Sequence, residues 1–442
     1  MFHRVCTLLF FGFLTAVCAF RDIPNFIVET PSEKGKLWAV LVAGSDTWDN
    51  YRHQADVCHS YQILKNHGVP DERIIVMMKD DLAYNEENPT PGVIINHPNG
   101  SNVYEGIPKD YTGHDVTPKN FLAVLKGNKK SVAGAGSGKV LGSGPNDHVF
   151  IYFADHGAPG LLAFPEEELT AKELNQTIHY MYEKKKYGKM VIYIEACESG
   201  SMFENILSKN LNVYATTAAN GEESSYACYF DEKRGTYLGD FYSVNWMEDS
   251  DWEVLSNETL HQQFKIVKFE TQKSHVQEFG DKKIGQLHVS EFQGRKKAHP
   301  IILPKANLDL IRSRDVPVAI LKRKYLQTNS VDEKVNILKK INKMERNRQF
   351  LSQKTSKVVT EIFHDAKKEE DILNNRYKLR NFDCYDKVRQ IYNEECFQLS
   401  KNAYALDYLY ILVNLCEKGV PPAQTIKAME RVCDHPPVYG IV

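Results

Sequence analysis

The sequence predicts a doubly wound α/β domain built on a mostly parallel sheet, followed by an all-helical, disulfide-bonded C-terminal region. Three observations carry that expectation. Short apolar runs alternate with helix-like segments between residues 37 and 220, an amphipathic charged stretch follows residue 331, and four cysteines crowd the chain after residue 380.

The apolar runs at 37–42, 73–78, 148–154, 190–196 and 212–218 are rich in Val, Ile and Tyr and read as strands buried on both faces. Between them, 52–66 and 170–183 carry apolar positions at helical spacing and would cross over the sheet faces. The stretch from 331 to about 368 has apolar positions at Val335, Ile337, Leu338, Ile341, Met344 and Phe350, and 404–415 is dense enough in apolar residues for a buried helix.

At the N-terminus, His3 and Arg4 precede an apolar run over 5–17 that ends in Val17-Cys18-Ala19, the pattern of a secretory signal peptide cut after Ala19. No later stretch reaches the roughly 20 apolar residues that a membrane span needs. The expected address is therefore the secretory route without a membrane anchor, and sequons at Asn99, Asn175 and Asn257 are candidate glycosylation sites. A net charge of −2 gives no global field for nucleic acid, and the clusters at 184–186 and 322–324 read as solvated faces.

Cysteine use differs along the chain. Cys6 and Cys18 leave with the signal, while Cys58, Cys197 and Cys228 are an odd set in an oxidising route, so at least one is free, either buried or catalytic. Cys384, Cys396, Cys416 and Cys433 are expected as two disulfides in one of three connectivities; no Cys-x-x-Cys pair supports zinc instead.

In parallel sheets the ligand crevice lies beyond the carboxyl ends of the strands. There the sequence places Asp155-His156-Gly157 after one run and Glu195-Ala196-Cys197-Glu198-Ser199-Gly200 at the end of another. Neighbouring strands would bring His156 and Cys197 into one crevice. A thiol of ordinary pKa is only about 0.03% ionised at pH 5, so it needs an imidazole partner; amides of a following helix N-terminus would also favour negative sulfur. The amides of Gly157 and Cys197 are candidate oxyanion donors. Taken singly, a strand-end Cys or His is more often a packed or hydrogen-bonded residue; the pair, in this setting, favours catalysis.

These two motifs, together with Asn50-Tyr51-Arg52-His53-Gln54-Ala55-Asp56, Asn88-Pro89-Thr90-Pro91-Gly92, Tyr214-Ala215-Thr216-Thr217-Ala218-Ala219-Asn220 and Tyr237-Leu238-Gly239-Asp240, resemble the legumain family of asparaginyl endopeptidases. The likeness runs from about residue 36 to the C-terminus and weakens after 292. It implies a caspase-like fold, peptide-bond hydrolysis after Asn with Asp accepted at low pH, and no metal or other cofactor. It makes Cys197 and His156 the dyad and Asn50 the residue that orients the imidazole. Arg52, His53, Glu195, Ser224, Ser225 and Asp240 become the pocket for the asparagine side chain, and Asp155 a candidate succinimide. On their own, Arg52 with Asp240 would read as a structural ion pair and Ser224-Ser225 as a loop or cap.

The resemblance further implies an autoinhibitory prodomain released by self-cleavage in an acidic endosome- or lysosome-like compartment, or after secretion, as into a gut lumen. Protein and peptide substrates with Asn at the cut are the expected partners, together with the chain's own prodomain and cystatin-type inhibitors; nucleic acid and membrane are not expected. The expected divisions are a signal peptide over 1–19, a short propeptide over 20–29, trimmed after Asn25, a catalytic domain over 30–300, a linker over 301–330 and a helical prodomain over 331–442. Arg323 to Ser330 reads as an exposed polar linker with Asn329 as the activation cut, although Gln327 stands where the family pattern leads one to expect asparagine.

Two rival functions are a transamidase of the same fold and a secreted binding protein with a dead site. The first is disfavoured by the missing second apolar span and the four-cysteine tail, the second by the intact Asn50, His156 and Cys197. Gly134-Ala135-Gly136-Ser137-Gly138-Lys139 looks like a phosphate loop, but Val140 replaces the required hydroxyl residue, so it reads as a flexible surface loop.

Overall fold

The computed structural model describes residues 35–442. The expected signal peptide, the 20–29 propeptide and its cut after Asn25 lie outside the described residues.

The α/β region runs β1 (Leu37–Ala43), α1 (Tyr51–Asn66), β2 (Ile74–Met77), α2 (Pro118–Leu125), β3 (His148–Ala154), β4 (Gly157–Ala158), β5 (Leu161–Ala163), β6 (Glu168–Thr170), α3 (Ala171–Glu183), β7 (Lys189–Glu195), β8 (Val213–Thr217), β9 (Tyr226–Asp231), β10 (Thr236–Asp240), α4 (Phe241–Trp252), α5 (Leu260–Glu270), β11 (Gln277–Gly280) and α6 (Ser290–Gln293). Six strands form the central sheet in the order β11-β8-β7-β3-β1-β2, parallel except for β11. The five expected strands are all present. Period-two alternation sorts β1 between two cores: Ala39, Leu41 and Ala43 pack in one cluster, while Val40 and Val42 pack in the other, on the opposite face.

Register fixes what the sheet presents. Ala43 pairs with Ala154 and Ala154 with Glu195, so β1, β3 and β7 end at the same level. The three chemically interesting stretches, 45–53, 155–157 and 196–200, therefore emerge side by side.

After β12 (Ile311–Arg312) come α7 (Val316–Gln327), α8 (Val331–Ile362), α9 (Ala366–Asn374), α10 (Phe382–Ile391), α11 (Leu409–Glu417) and α12 (Pro422–Val432). Two disulfides, Cys384–Cys416 and Cys396–Cys433, staple this helical region. Its apolar cluster includes Ala158 and Leu161 of the hairpin that follows His156, which seats the helices directly beside the strand ends.

Three expectations are corrected. Residues 323–327 are not linker but the last turns of α7, because Val316 and Ile320 pack on Ala227, Phe230 and Tyr237 while Arg323 stacks over the Phe230 ring at 4.2 Å. Only Thr328, Asn329 and Ser330 lie between α7 and α8, with Asn329 exposed. The buried helix expected over 404–415 is divided, with a 3₁₀ segment Ala403–Tyr408 leading into α11. The glycine-rich loop is also tied down, since Lys139 Nζ donates to the carbonyls of Asp71 and Ile74 at 2.6 Å and Ser137 Oγ to Asp110 at 2.8 Å.

Candidate active site

His156 follows β3, and its Nε2 donates to Asn50 Oδ1 at 2.9 Å. Asn50 Nδ2 donates in turn to the Asp46 carbonyl at 3.0 Å, which fixes which end of the amide faces the ring. That bond puts the proton on Nε2 and leaves Nδ1 as an acceptor, the arrangement a general base requires. Burial, with Arg52 and Arg314 adding to it, pushes the imidazole well below its ordinary pKa, so the ring is neutral here.

Cys197 follows β7 and is fully buried. Its Sγ lies 3.3 Å from Ser224 Oγ and 3.6 Å from Ser225 Oγ. Because Ser224 Oγ already donates to the Ser225 carbonyl at 2.8 Å, the thiol is the donor in the first contact. Burial raises the thiol pKa against the pull of Arg314. Gly157 is required by space: a Cβ there would sit 2.3 Å from the Cys197 carbonyl oxygen. The expected support from helix N-terminal amides is not found. Residues Ser199–Met202 form one 3₁₀ turn, and the Glu198, Gly200 and Ser201 amides are spent on the carbonyls of Glu223, Ala219 and Glu198.

Beside His156 and Cys197 lies a buried polar cluster. Arg52 at the start of α1 donates from Nε to Asp240 Oδ1 at 2.9 Å. His53 sits between Ser45 Oγ at 2.7 Å, Asp155 Oδ1 at 3.3 Å and Asp240 Oδ2 at 3.4 Å. Glu195 Oε2 accepts from the Ser243 amide and hydroxyl at 3.0 and 2.9 Å. Burial pushes Asp240 up to about 6 despite Arg52, and raises Glu195 well above the usual range with Asp240 adding to it. Three buried carboxylate oxygens of this cluster, Asp155 Oδ1, Glu195 Oε1 and Asp240 Oδ2, have no hydrogen-bond partner among the described residues. Asp155, also raised by burial, has its carboxyl facing the His156 amide.

The sequence reading missed the residues that occupy the site. Ser313 Oγ accepts from Arg52 Nη2 at 2.8 Å and lies 3.4 Å from His156 Nδ1. Arg314, 4% exposed, donates to the Gly157 carbonyl and approaches Glu198 Oε2 to 3.7 Å, while Arg376 approaches Glu198 Oε1 to 3.6 Å. No local pattern marks these residues; only the long-range fold brings them here. Of the three sequons, Asn99 and Asn257 are exposed and Asn175 is half-buried with an enclosed Oδ1.

Residues 37–295 match the peptidase C13 family model and residues 339–433 the legumain prodomain model. The chain is 53% identical over 426 residues to legumain from Homo sapiens, covering 95% of this chain and 98% of that one. It is 44% identical over 432 residues to the vacuolar-processing enzyme delta-isozyme of Arabidopsis thaliana, covering 91% of each. Caspase-1 from Spodoptera frugiperda is a structural neighbour with a TM-score of 0.35 and 10% identity, covering 65% of this chain and 99% of that chain.

Proposed function

The chain belongs to the peptidase C13 family, a cysteine endopeptidase with a legumain prodomain, and on that premise we propose that it cuts protein and peptide chains after asparagine. The observation that carries this reading is the pair of buried oxygens without a hydrogen-bond partner among the described residues, Glu195 Oε1 and Asp240 Oδ2, the second on the carboxylate that Arg52 holds. A carboxamide offers an acceptor for Arg52 and two donors for those oxygens. An apolar side chain would leave the same buried groups unpaired, a discrimination of the order of 10⁴. Protonated aspartic acid has the same outline, which supports cleavage after Asp at low pH.

In this mechanism His156 Nδ1 takes the thiol proton, Cys197 attacks the carbonyl carbon, and the Gly157 and Cys197 amides hold the oxyanion. The imidazolium then protonates the departing amine, and water releases the acyl group from sulfur. A second amine captures the same thioester to give ligation as a side activity. The same proposal takes in Asp155: attack of the His156 amide nitrogen on its carboxyl, with loss of water, closes a succinimide. Digestion of a denatured protein at pH 5, with new C-termini mapped by mass spectrometry, tests the specificity: termini should fall at Asn, and cuts spread over other residues would refute it.

The prodomain acts as the inhibitor, and its release in acid, with a self-cut after Asn329, belongs to the same proposal. So do an acidic secretory or endolysosomal address, glycans at exposed Asn99 and Asn257, and cystatin-type inhibitors at the emptied site. Ion pairs that clamp the prodomain include Lys172–Asp383 at 2.7 Å and Lys378–Glu204 at 2.6 Å. Lys172 holds Asp383 below the usual carboxylate range, so its contribution is present above about pH 4 and lost as pH falls through the depressed value. His156 acts from higher pH: its depressed value in the capped state means uncapping takes up a proton, favoured progressively below about 6.5. Glu198 opposes, because burial raises it to about 8 under the cap and so favours closure as pH falls from there to about 4.5. Below about pH 4.5 Glu198 adds no further preference for closure while Asp383 goes on losing its ion pair, so release is expected there. Size-exclusion of the chain clipped at Asn329 checks this: the prodomain should co-elute at pH 7 and separate at pH 4, and co-elution at both would contradict it.

A further inference from the structure

The segment in the active site also indicates what lies on the other side of the cut. Ile311 and Arg312 pair antiparallel with Ala227 and Tyr226 of β9, and the Ser313 amide donates to the Ser225 carbonyl at 3.0 Å. Strand addition of this kind fixes a peptide's register through its backbone and delivers successive side chains to separate pockets. Ser313 reaches Arg52 and His156, which places residue 313 where the asparagine belongs in the proposed function. The following residue, Arg314, then occupies the leaving-group side.

Arg314 meets an acceptor set built on the nucleophile's own loop. Glu198, directly after Cys197, is 2% exposed and held in left-handed backbone at φ 50°, with its amide bonded to the Glu223 carbonyl at 2.8 Å. Its Oε2, 3.7 Å from Arg314 Nη2, has no hydrogen-bond partner among the described residues, and the same Nη2 donates to the Gly157 carbonyl. A non-glycine residue at positive φ costs of the order of 1 kcal/mol or more and persists only where its surroundings hold it. Here that conformation accompanies a buried acid beside the reacting sulfur.

We propose that Glu198, together with the Gly157 carbonyl, is the subsite for the residue that follows the cleaved asparagine, and that it selects a basic side chain there. The inference rests on the asparagine reading above and adds the second half of the substrate. Once the prodomain has left with Arg376, and the substrate has displaced the 311–314 segment that carries Arg314, the carboxylate has no cation facing it, and a lysine or arginine of the substrate fills that place by a charge-assisted bond.

The test uses the full chain after its own acid activation and internally quenched peptides Ala-Ala-Asn-X with X as Arg, Ala or Glu, at pH 5.5. In the wild type, kcat/KM is expected to fall in the order Arg, Ala, Glu, with about tenfold or more between the extremes, the scale of one charge-assisted hydrogen bond. In Glu198→Gln the Arg-to-Glu ratio should collapse toward one, a ratio independent of how much active enzyme each preparation holds. Equal rates for the three peptides in the wild type, or an unchanged ratio in the variant, would overturn the proposal, and the wild-type ratio decides it alone should the variant fail to fold. Matched peptides with Gln in place of Asn separate the two readings: their cleavage at equal rate would strike the asparagine reading and this subsite with it.

Discussion

Cys197→Ala is expected to lower peptide hydrolysis by about five to six orders of magnitude, the scale seen when a nucleophile that works as a unit with its base is removed. His156→Ala should lose a similar amount, because the two act on one proton and their losses do not add. The fold should survive the cysteine change. Sγ is fully buried and, among the described residues, hydrogen-bonds only to two serine hydroxyls, and its loss leaves a void smaller than most large-to-small core changes create. Hydrolysis of a fluorogenic peptide beside a thermal melt checks both points. Residual turnover within tenfold of wild type would place the nucleophile elsewhere.

Ser313→Asn is expected to turn the segment that fills the site into a substrate. The serine hydroxyl satisfies Arg52 but leaves Glu195 Oε1 and Asp240 Oδ2 without partners. An asparagine at the same position supplies the missing donors and draws its own carbonyl toward Cys197. Intact-mass analysis after acid treatment should then show a new fragment beginning at Arg314, absent from the wild type and from Ser313→Asn combined with Cys197→Ala. If the variant stays whole at 313 while Asn peptides are hydrolysed, residue 313 does not occupy the asparagine position.

Most of the parallel sheet was legible because its strands are buried on both faces and so stand out as continuous apolar runs. The residues at the ends of β3 and β7 were legible for the same reason: chemistry-bearing types directly after such runs point into the crevice. The edge strand β11, Gln277–Gly280, was not, since only one side of it is paired and its composition is polar. α7 was misread because Lys322, Arg323 and Lys324 dominate its sequence, whereas Val316 and Ile320 decide its packing. Ser313, Arg314 and Arg376 carry no local signal, for their meaning lies in contacts more than 100 residues away along the chain, such as Arg314 to Gly157 and Arg376 to Glu198. The disulfide pairing was open for the same reason, as three connectivities fit the sequence and only the helix packing selects one.

The most direct test of the central claim is turnover of fluorogenic peptides ending in Asn, Asp, Lys or Phe, at pH 5 and pH 7, by the acid-treated wild type with removal of the prodomain verified. Hydrolysis at pH 5 confined to Asn, with Asp rising only as pH falls further, is the predicted result. Equal turnover of Lys or Phe peptides, or silence toward Asn once the prodomain is gone, would contradict it.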